Sequence, residues 1–337
     1  MKRLKTYLQV TDLHFVGHMQ GHIFDPWARY VPGLHGFVGH HKTPLRYLLR
    51  AFRNLLKSEP DTELVVTGDL TACGATSQFK AADAYLGTAG TYPKFLGLNR
   101  PQWSALSVPG NHDFWPGIAL LPIGFSNSEV RRRYPSDEGI TRSITLANGR
   151  QMVFLHLNGD ADVKPFSSER ILGCGSFCSA IQKLDKQMPG PNGAEIRVLL
   201  LHHSVQHSGM PCTPMLRMLT IDDASRAELA NFVTKHGIRV ILTGHVHHPF
   251  FVGNIAAPGS GFGHSVLESR CGTTTQRPMV LAGQTGQNNL VVHRLEEDDD
   301  KDVYWRSEVH TLELSVKGFG PPPPGSPLPN SSFAIRV

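Results

Sequence analysis

The sequence predicts an α/β fold, and three observations carry that expectation. Of its 337 residues 40% are hydrophobic and 18% charged, which supplies a sizeable core and excludes disordered, collagen-like and disulfide-framework classes. Short apolar β-type runs alternate with stretches at helical spacing. Several of the runs end abruptly in clusters of Asp, Asn or His.

Thr6 to Val10 (TYLQV) is a β-type run that stops at Thr11-Asp12-Leu13-His14. A Gly- and His-rich stretch from Phe15 to Lys42 follows, with His18, His22, His35, His40 and His41 in no periodic pattern; it reads as a long surface loop over a cleft. Pro44 to Ser58 has apolar residues at helical spacing with basic residues between them and Pro at its start, an amphipathic helix. Leu64 to Thr67 reads as a buried strand running into Gly68-Asp69, and the pattern repeats with a helix over Ser77 to Gly87 and a strand over Leu106 to Val108 that meets Pro109-Gly110-Asn111-His112-Asp113. Ile144 to Leu146 and Met152 to Leu157 form a hairpin around Ala147-Asn148-Gly149. A helix over Ser176 to Gln187 leads to the strand Ile196 to Leu201 and the pair His202-His203, and a helix over Ser225 to Lys235 leads to the strand Ile238 to Leu242 and Thr243-Gly244-His245-Val246-His247. The last third carries short β-type runs at 279–281, 290–295 and 303–305, with Glu296 to Asp302 as a solvated acidic hairpin tip. Residues 1–316 read as one domain, and the Pro-rich segment 317–337 as an extended C-terminal arm able to reach a neighbouring subunit in a homo-oligomer.

The net charge of +5 is spread rather than blocked, which favours an anionic partner only weakly and gives no nucleic-acid signature. The five cysteines, Cys73, Cys174, Cys178, Cys212 and Cys271, are odd in number and irregular in spacing, which suits structural thiols in a reducing compartment. Met1 to Lys5 is basic but no apolar signal region follows, and no apolar run approaches the roughly 20 residues of a membrane span, so a cytoplasmic protein is expected.

The 18 histidines outnumber the 7 tyrosines and 4 tryptophans. In an α/β sheet the carboxyl ends of strands open into one crevice, so Asp12/His14, Asp69, Asn111/His112, His202/His203 and His245/His247 can converge although they are distant in sequence. Partners two apart, as in Asp12-Leu13-His14 and His245-Val246-His247, face the same way on an extended chain. Carboxylates mixed with imidazoles suit Mn, Fe or Zn, whereas an all-oxygen set suits Mg²⁺ or Ca²⁺.

Those five clusters, in this order, resemble the calcineurin-like metallophosphoesterase superfamily: Asp12-Leu13-His14, Gly68-Asp69, Gly110-Asn111-His112-Asp113, His202 and Gly244-His245-Val246-His247 match its D-x-H, G-D, G-N-H-[DE], H and G-H-x-H. The resemblance implies a four-layer α/β/β/α sandwich with two metal ions at the sheet edges. It assigns Asp12, His14, Asp69 and His247 to one ion and Asp69, Asn111, His202 and His245 to the other, with Asp69 bridging and with attack by a metal-bridging hydroxide. His112 matches a histidine that contacts the substrate phosphate and serves catalysis; in relatives an Asp orients it, at the position held here by Ala72, and Asp160 and Asp162 read as surface residues of the turn after Leu157, with a substitute carboxylate as the alternative. Protein Ser/Thr phosphatases carry G-D-x-V-D-R-G and G-N-H-E, and purple acid phosphatases a Tyr at the position of Ala72; this chain has neither. Gly68-Asp69-Leu70-Thr71 and Asp12-Leu13-His14 are similar to small bacterial phosphodiesterases of the cyclic-nucleotide type. The expected function is therefore dinuclear metal-dependent hydrolysis of a small phosphodiester, a cyclic nucleotide or a glycerophosphodiester. The alternatives are a phosphomonoesterase of broad specificity and, in a different class, a metal-binding scaffold without catalysis.

Overall fold

The computed structural model describes residues 1–15, 40, 42–72, 74–87, 97–114, 128–164, 167, 173–205, 221–246, 250–252, 263–275, 280–281, 284–285, 288–313, 318–321 and 332–337. Two sheets lie face to face. The first runs β14 (Gly318–Gly320), β13 (Val303–Glu313), β12 (Asn289–Glu297), β1 (Lys2–Val10), β2 (Glu63–Thr67), β3 (Ser107–Val108), with β15 (Ser332–Arg336) also on β13. The second runs β4 (Glu138–Thr145), β5 (Gln151–Leu157), β6 (Glu195–Leu201), β7 (Val240–Thr243), β9 (Leu267–Arg270), β8 (Phe250–Val252); β10 (Val280–Leu281) and β11 (Gln284–Thr285) pair apart from both. β1, β2 and β3 are parallel, as are β5, β6, β7 and β9, so in each sheet a set of carboxyl ends shares one edge.

Side-chain alternation along the strands builds the layers. Leu8 and Val10 of β1 and Leu64 and Val66 of β2 face outward, under the helices Lys42–Ser58 and Thr76–Gly87, which bury Leu45, Leu48, Leu49, Phe52, Phe79 and Tyr85 against them. Tyr7 and Val65 face inward and meet Met152, Phe154, Val198, Leu200, Val240 and Leu242 of the second sheet. On the far side Val153, Leu155, Leu199 and Leu201 pack against the helices Cys178–Gln187 and Asp223–Lys235. Three apolar layers between four of secondary structure make an α/β/β/α sandwich, and strands apolar on both faces are what such a position requires. The helix Lys42–Ser58 buries 45, 48, 49 and 52, one i, i+3, i+4, i+7 stripe, and turns Arg46, Arg50, Arg53 and Lys57 to solvent. Asp222 caps the helix Asp223–Lys235 by accepting from Ser225 N at 2.6 Å.

Differences from the sequence expectation have physical causes. β13 runs to Glu313, far beyond Trp305, because pairing with β12, β14 and β15 fills both of its edges. β9 (LESR) has no apolar alternation, yet all four residues are buried, and hydrogen bonds hold the side chains of Glu268 and Arg270 there. The described parts of the C-terminal arm extend the first sheet as β14 and β15. Most of the His-rich stretch lies outside the described residues, but both of its ends are placed: Phe15 N donates to Leu70 O at 2.8 Å, and His40 N to His14 O at 3.0 Å. No helix among the described residues is long and apolar enough to cross a membrane.

Candidate metal centre

The carboxyl ends of β1, β2, β3, β6 and β7 bring Asp12, His14, Asp69, Asn111, His112, His202 and His245 to one seam between the sheets; His247 lies outside the described residues. Asp69 is the hub. Its Oδ2 lies 3.3 Å from His202 Nε2, 3.9 Å from His14 Nε2 and 4.0 Å from His112 Nε2, while its Oδ1 accepts from His112 N at 2.8 Å. Asp12 joins the sheets: Oδ1 faces His14 Nε2 at 3.7 Å and Oδ2 accepts from His245 N at 3.1 Å. Asn111 Oδ1 is 3.2 Å from His202 Nε2.

Local backbone makes this approach possible. Asp12, His14, Asp69 and His245 have φ of 52°, 46°, 50° and 70°, a conformation that costs L residues energy and persists only where the surroundings over-determine it. Gly110 sits so close to the hub that a Cβ would fall 2.2 Å from Asp69 Oδ1, and at Gly68, itself at φ 94°, it would fall 2.4 Å from His202 Nδ1. Asp113 locks the β2 and β3 ends together, accepting from Thr71 N and Oγ1 at 2.9 Å each, Gly110 N at 3.0 Å and Leu70 N at 3.3 Å. Burial and the nearby Asp69 charge push its carboxyl up to about 6.

Two imidazoles are oriented by main-chain carbonyls. His202 Nδ1 donates to Thr67 O at 2.7 Å, which fixes the tautomer and leaves Nε2 to Asp69 and Asn111. His112 Nδ1 donates to Ala72 O at 3.0 Å, so the residue that lacks the carboxylate of relatives supplies its own carbonyl instead. Asp162 is engaged elsewhere, accepting from Ser179 N at 2.7 Å; Asp160 is buried, not on the surface of its turn. His203 packs against His245 at a tilt, ring centroids 4.5 Å apart, in space that Cβ atoms at positions 159 and 175 would occupy. Burial, then the neighbouring His245 and His202, hold His203 well below the usual imidazole range.

The donor set fits metal ions. His14, Asp69 and His112 offer atoms within 4.8 Å of one another, as do Asp69, His202 and His245. Asp69 Oδ2 is buried, and amide and imidazole groups able to accept converge around it. Buried acceptors without donors call for a cation. In the metal-free chain that cation is a proton: burial lowers the affinity of His14 and His202, but Asp12 and Asp69 outweigh it, raising His14 and carrying His202 to about 10.

Such a sandwich, with carboxylates and imidazoles gathered where the strands of both sheets end, defines a class of metal-binding hydrolytic proteins. The family model for calcineurin-like phosphoesterases matches residues 5–249, and the chain belongs to that family. It is thereby a metal-dependent phosphoester hydrolase. A crystal structure of a metallophosphoesterase from Sphaerobacter thermophilus is similar at 14% identity and a TM-score of 0.32, covering 92% of this chain and 88% of that one. No curated protein matches the chain.

Residues that the motifs do not contain also support the seam. Gln9 Nε2 donates to Thr67 Oγ1 and Thr243 O, both at 2.9 Å, and its Oε1 meets His293 Nε2 at 3.0 Å. Gln9, the one polar residue in the buried run Tyr7 to Val10, is the sequence signal for this link between the sheets.

Proposed function

We propose that the protein hydrolyses a small phosphodiester, of the cyclic-nucleotide or glycerophosphodiester type, with two metal ions held at the Asp69 seam. The observation that carries the metal reading is the approach of three imidazole Nε2 atoms to one buried carboxylate oxygen. Asp12, His14, Asp69 and His247 would hold one ion and Asp69, Asn111, His202 and His245 the other, a mixed set suited to Mn, Fe or Zn. Bound there, the ions supply charge to a phosphoryl oxygen and lower the pKa of a water for in-line attack.

The chain's own groups support the rest. His112, its Nδ1 proton committed to Ala72 O, presents Nε2 to the cleft, where it contacts the phosphate and hands a proton to the leaving oxygen when protonated. The loop after Asp69 offers no cation: Leu70 is buried, Thr71 is bound to Asp113, and Ala72, Cys73 and Gly74 carry no charge. A phosphodiester monoanion needs less compensation than a monoester dianion, which is why this loop favours the diester. The positions of Phe15 and His40 beside His14 support a role for the stretch 15–42 in selectivity. The odd number and irregular spacing of the five cysteines support a cytoplasmic setting.

Initial rates of metal-loaded protein on matched aryl phosphodiester and phosphomonoester substrates test the reading. The diester is expected to give the higher kcat/KM; a clear monoester preference would sink it.

A further inference from the structure

Glu268 lies fully buried in β9, beyond the residues 5–249 matched to the family. Its Oε1 accepts three hydrogen bonds, from Ser204 Oγ at 2.7 Å, Val205 N at 2.9 Å and Thr243 Oγ1 at 3.0 Å. Ser204 and Val205 directly follow His202-His203, and Thr243 directly precedes Gly244-His245. One oxygen therefore ties together the two strand ends that carry the imidazoles of the second sheet. Arg270 Nη1 donates to the same Ser204 Oγ at 2.9 Å, so that hydroxyl both gives and receives a bond.

The chain then continues into a buried run of threonines. Thr273 Oγ1 donates to Asp12 O at 3.2 Å and Thr275 Oγ1 to Leu13 O at 2.6 Å. Thr274 N donates to Thr11 O, and Thr11 N to Thr274 Oγ1, both at 3.2 Å. This holds the backbone on which Asp12 and His14 take their left-handed φ, as Glu268 holds that of His245.

We infer that the segment 268–275 positions the site, Glu268 aligning His202 and His245, and the threonines aligning Asp12 and His14. The inference rests on the metal reading above. Ligand atoms must be fixed to within a fraction of an ångström, and partners behind the ligands are worth about 10–100-fold in metal affinity. The contribution assigned to Glu268 at the site is geometric, and a glutamine keeps an amide oxygen in the same place to accept from these donors.

Cobalt(II) titration of the full chain, read by equilibrium dialysis and visible absorption, tests this, with circular dichroism melts to confirm folding. The wild type is expected to take up two ions. Glu268→Ala should weaken one of them about 10–100-fold and shift its absorption band, and Glu268→Gln should restore both. Thr275→Val should weaken the other ion and leave the Glu268-dependent one unchanged. Should Glu268→Ala not fold, Thr243→Val and Ser204→Ala each remove one of the three bonds and should weaken the same ion by a smaller factor. Unchanged affinity and spectrum in Glu268→Ala, or in Thr243→Val and Ser204→Ala when Glu268→Ala does not fold, would overturn the inference. So would failure of Glu268→Gln to rescue, or equal loss of both ions in every variant. A wild type that takes up no cobalt overturns the metal reading instead, and the inference with it.

Discussion

The two sheets contribute unlike halves to one site. From the first come the carboxylates Asp12 and Asp69 set against His14 and His112; from the second come imidazoles alone, His202, His203 and His245, packed ring to ring. The first half carries the anions and the second brings only imidazoles to the seam, so the imidazoles of the second sheet depend on an anion across it. Opposite effects on adjacent residues show it: Asp69 lifts His202 to about 10 against the pull of burial, whereas burial and neighbouring imidazoles depress His203.

Removing that shared anion should have the largest effect. Asp69→Asn keeps the shape but not the charge, and is expected to lose both metal ions and to lower kcat/KM by about 10³-fold or more, since metal ions supply several kcal/mol of transition-state stabilisation. Metal content and initial rates check this; a variant that keeps its metals would break the dependence of the second half on the first.

A medium effect concerns protons. In the metal-free chain the His202 pKa is raised, so its proton stabilises the fold fully below the unfolded value near 6.5, and the contribution fades as pH rises toward about 10. Metal ions must displace that proton, so metal uptake at neutral pH is expected to release protons and affinity to rise with pH, with activity falling below roughly pH 6.5. Calorimetry in buffers of different ionisation enthalpy measures the release; its absence at pH 7 would place the charge of His202 elsewhere.

The smallest effect sits beneath the seam. Burial lowers His293 to about 3 while Gln9 and Ser307 hold its ring. Only the unfolded chain binds a proton there between about pH 6.5 and 3, so stability should fall in that window by up to about 1.4 kcal/mol per pH unit. His293→Gln should flatten that limb in denaturant melts; an unchanged slope would shift the acid sensitivity to the seam itself.

The order of strands, helices and strand-end clusters was legible because apolar runs and their polar stops are side-chain patterns. The sandwich layering came from the family resemblance, and the three apolar layers agree with it. Hidden were features that side-chain type does not encode. The partner of His112 is the main-chain carbonyl of Ala72, which no side-chain type announces, and neither Asp160 nor Asp162 is needed for it. β9 was hidden because its Glu, Ser and Arg are buried, the reverse of what polarity implies. The choice between His202 and His203 also exceeded the pattern, since adjacency alone does not say which ring meets Asp69.

The closed base at Phe15 and His40 has an evolutionary consequence. The chain leaves the seam at Phe15, returns at His40, and the two rings lie 5.1 Å apart on a bond to the His14 backbone. Closing a loop costs only about 0.6 kcal/mol more for each doubling of its length. A change of length between these two anchors therefore carries a small closure cost, while the bonds at Phe15 and His40 stay beside His14. If the segment shapes selectivity as proposed, exchanging it at this one junction changes substrate preference and leaves the ligands Asp12 and His14 in place.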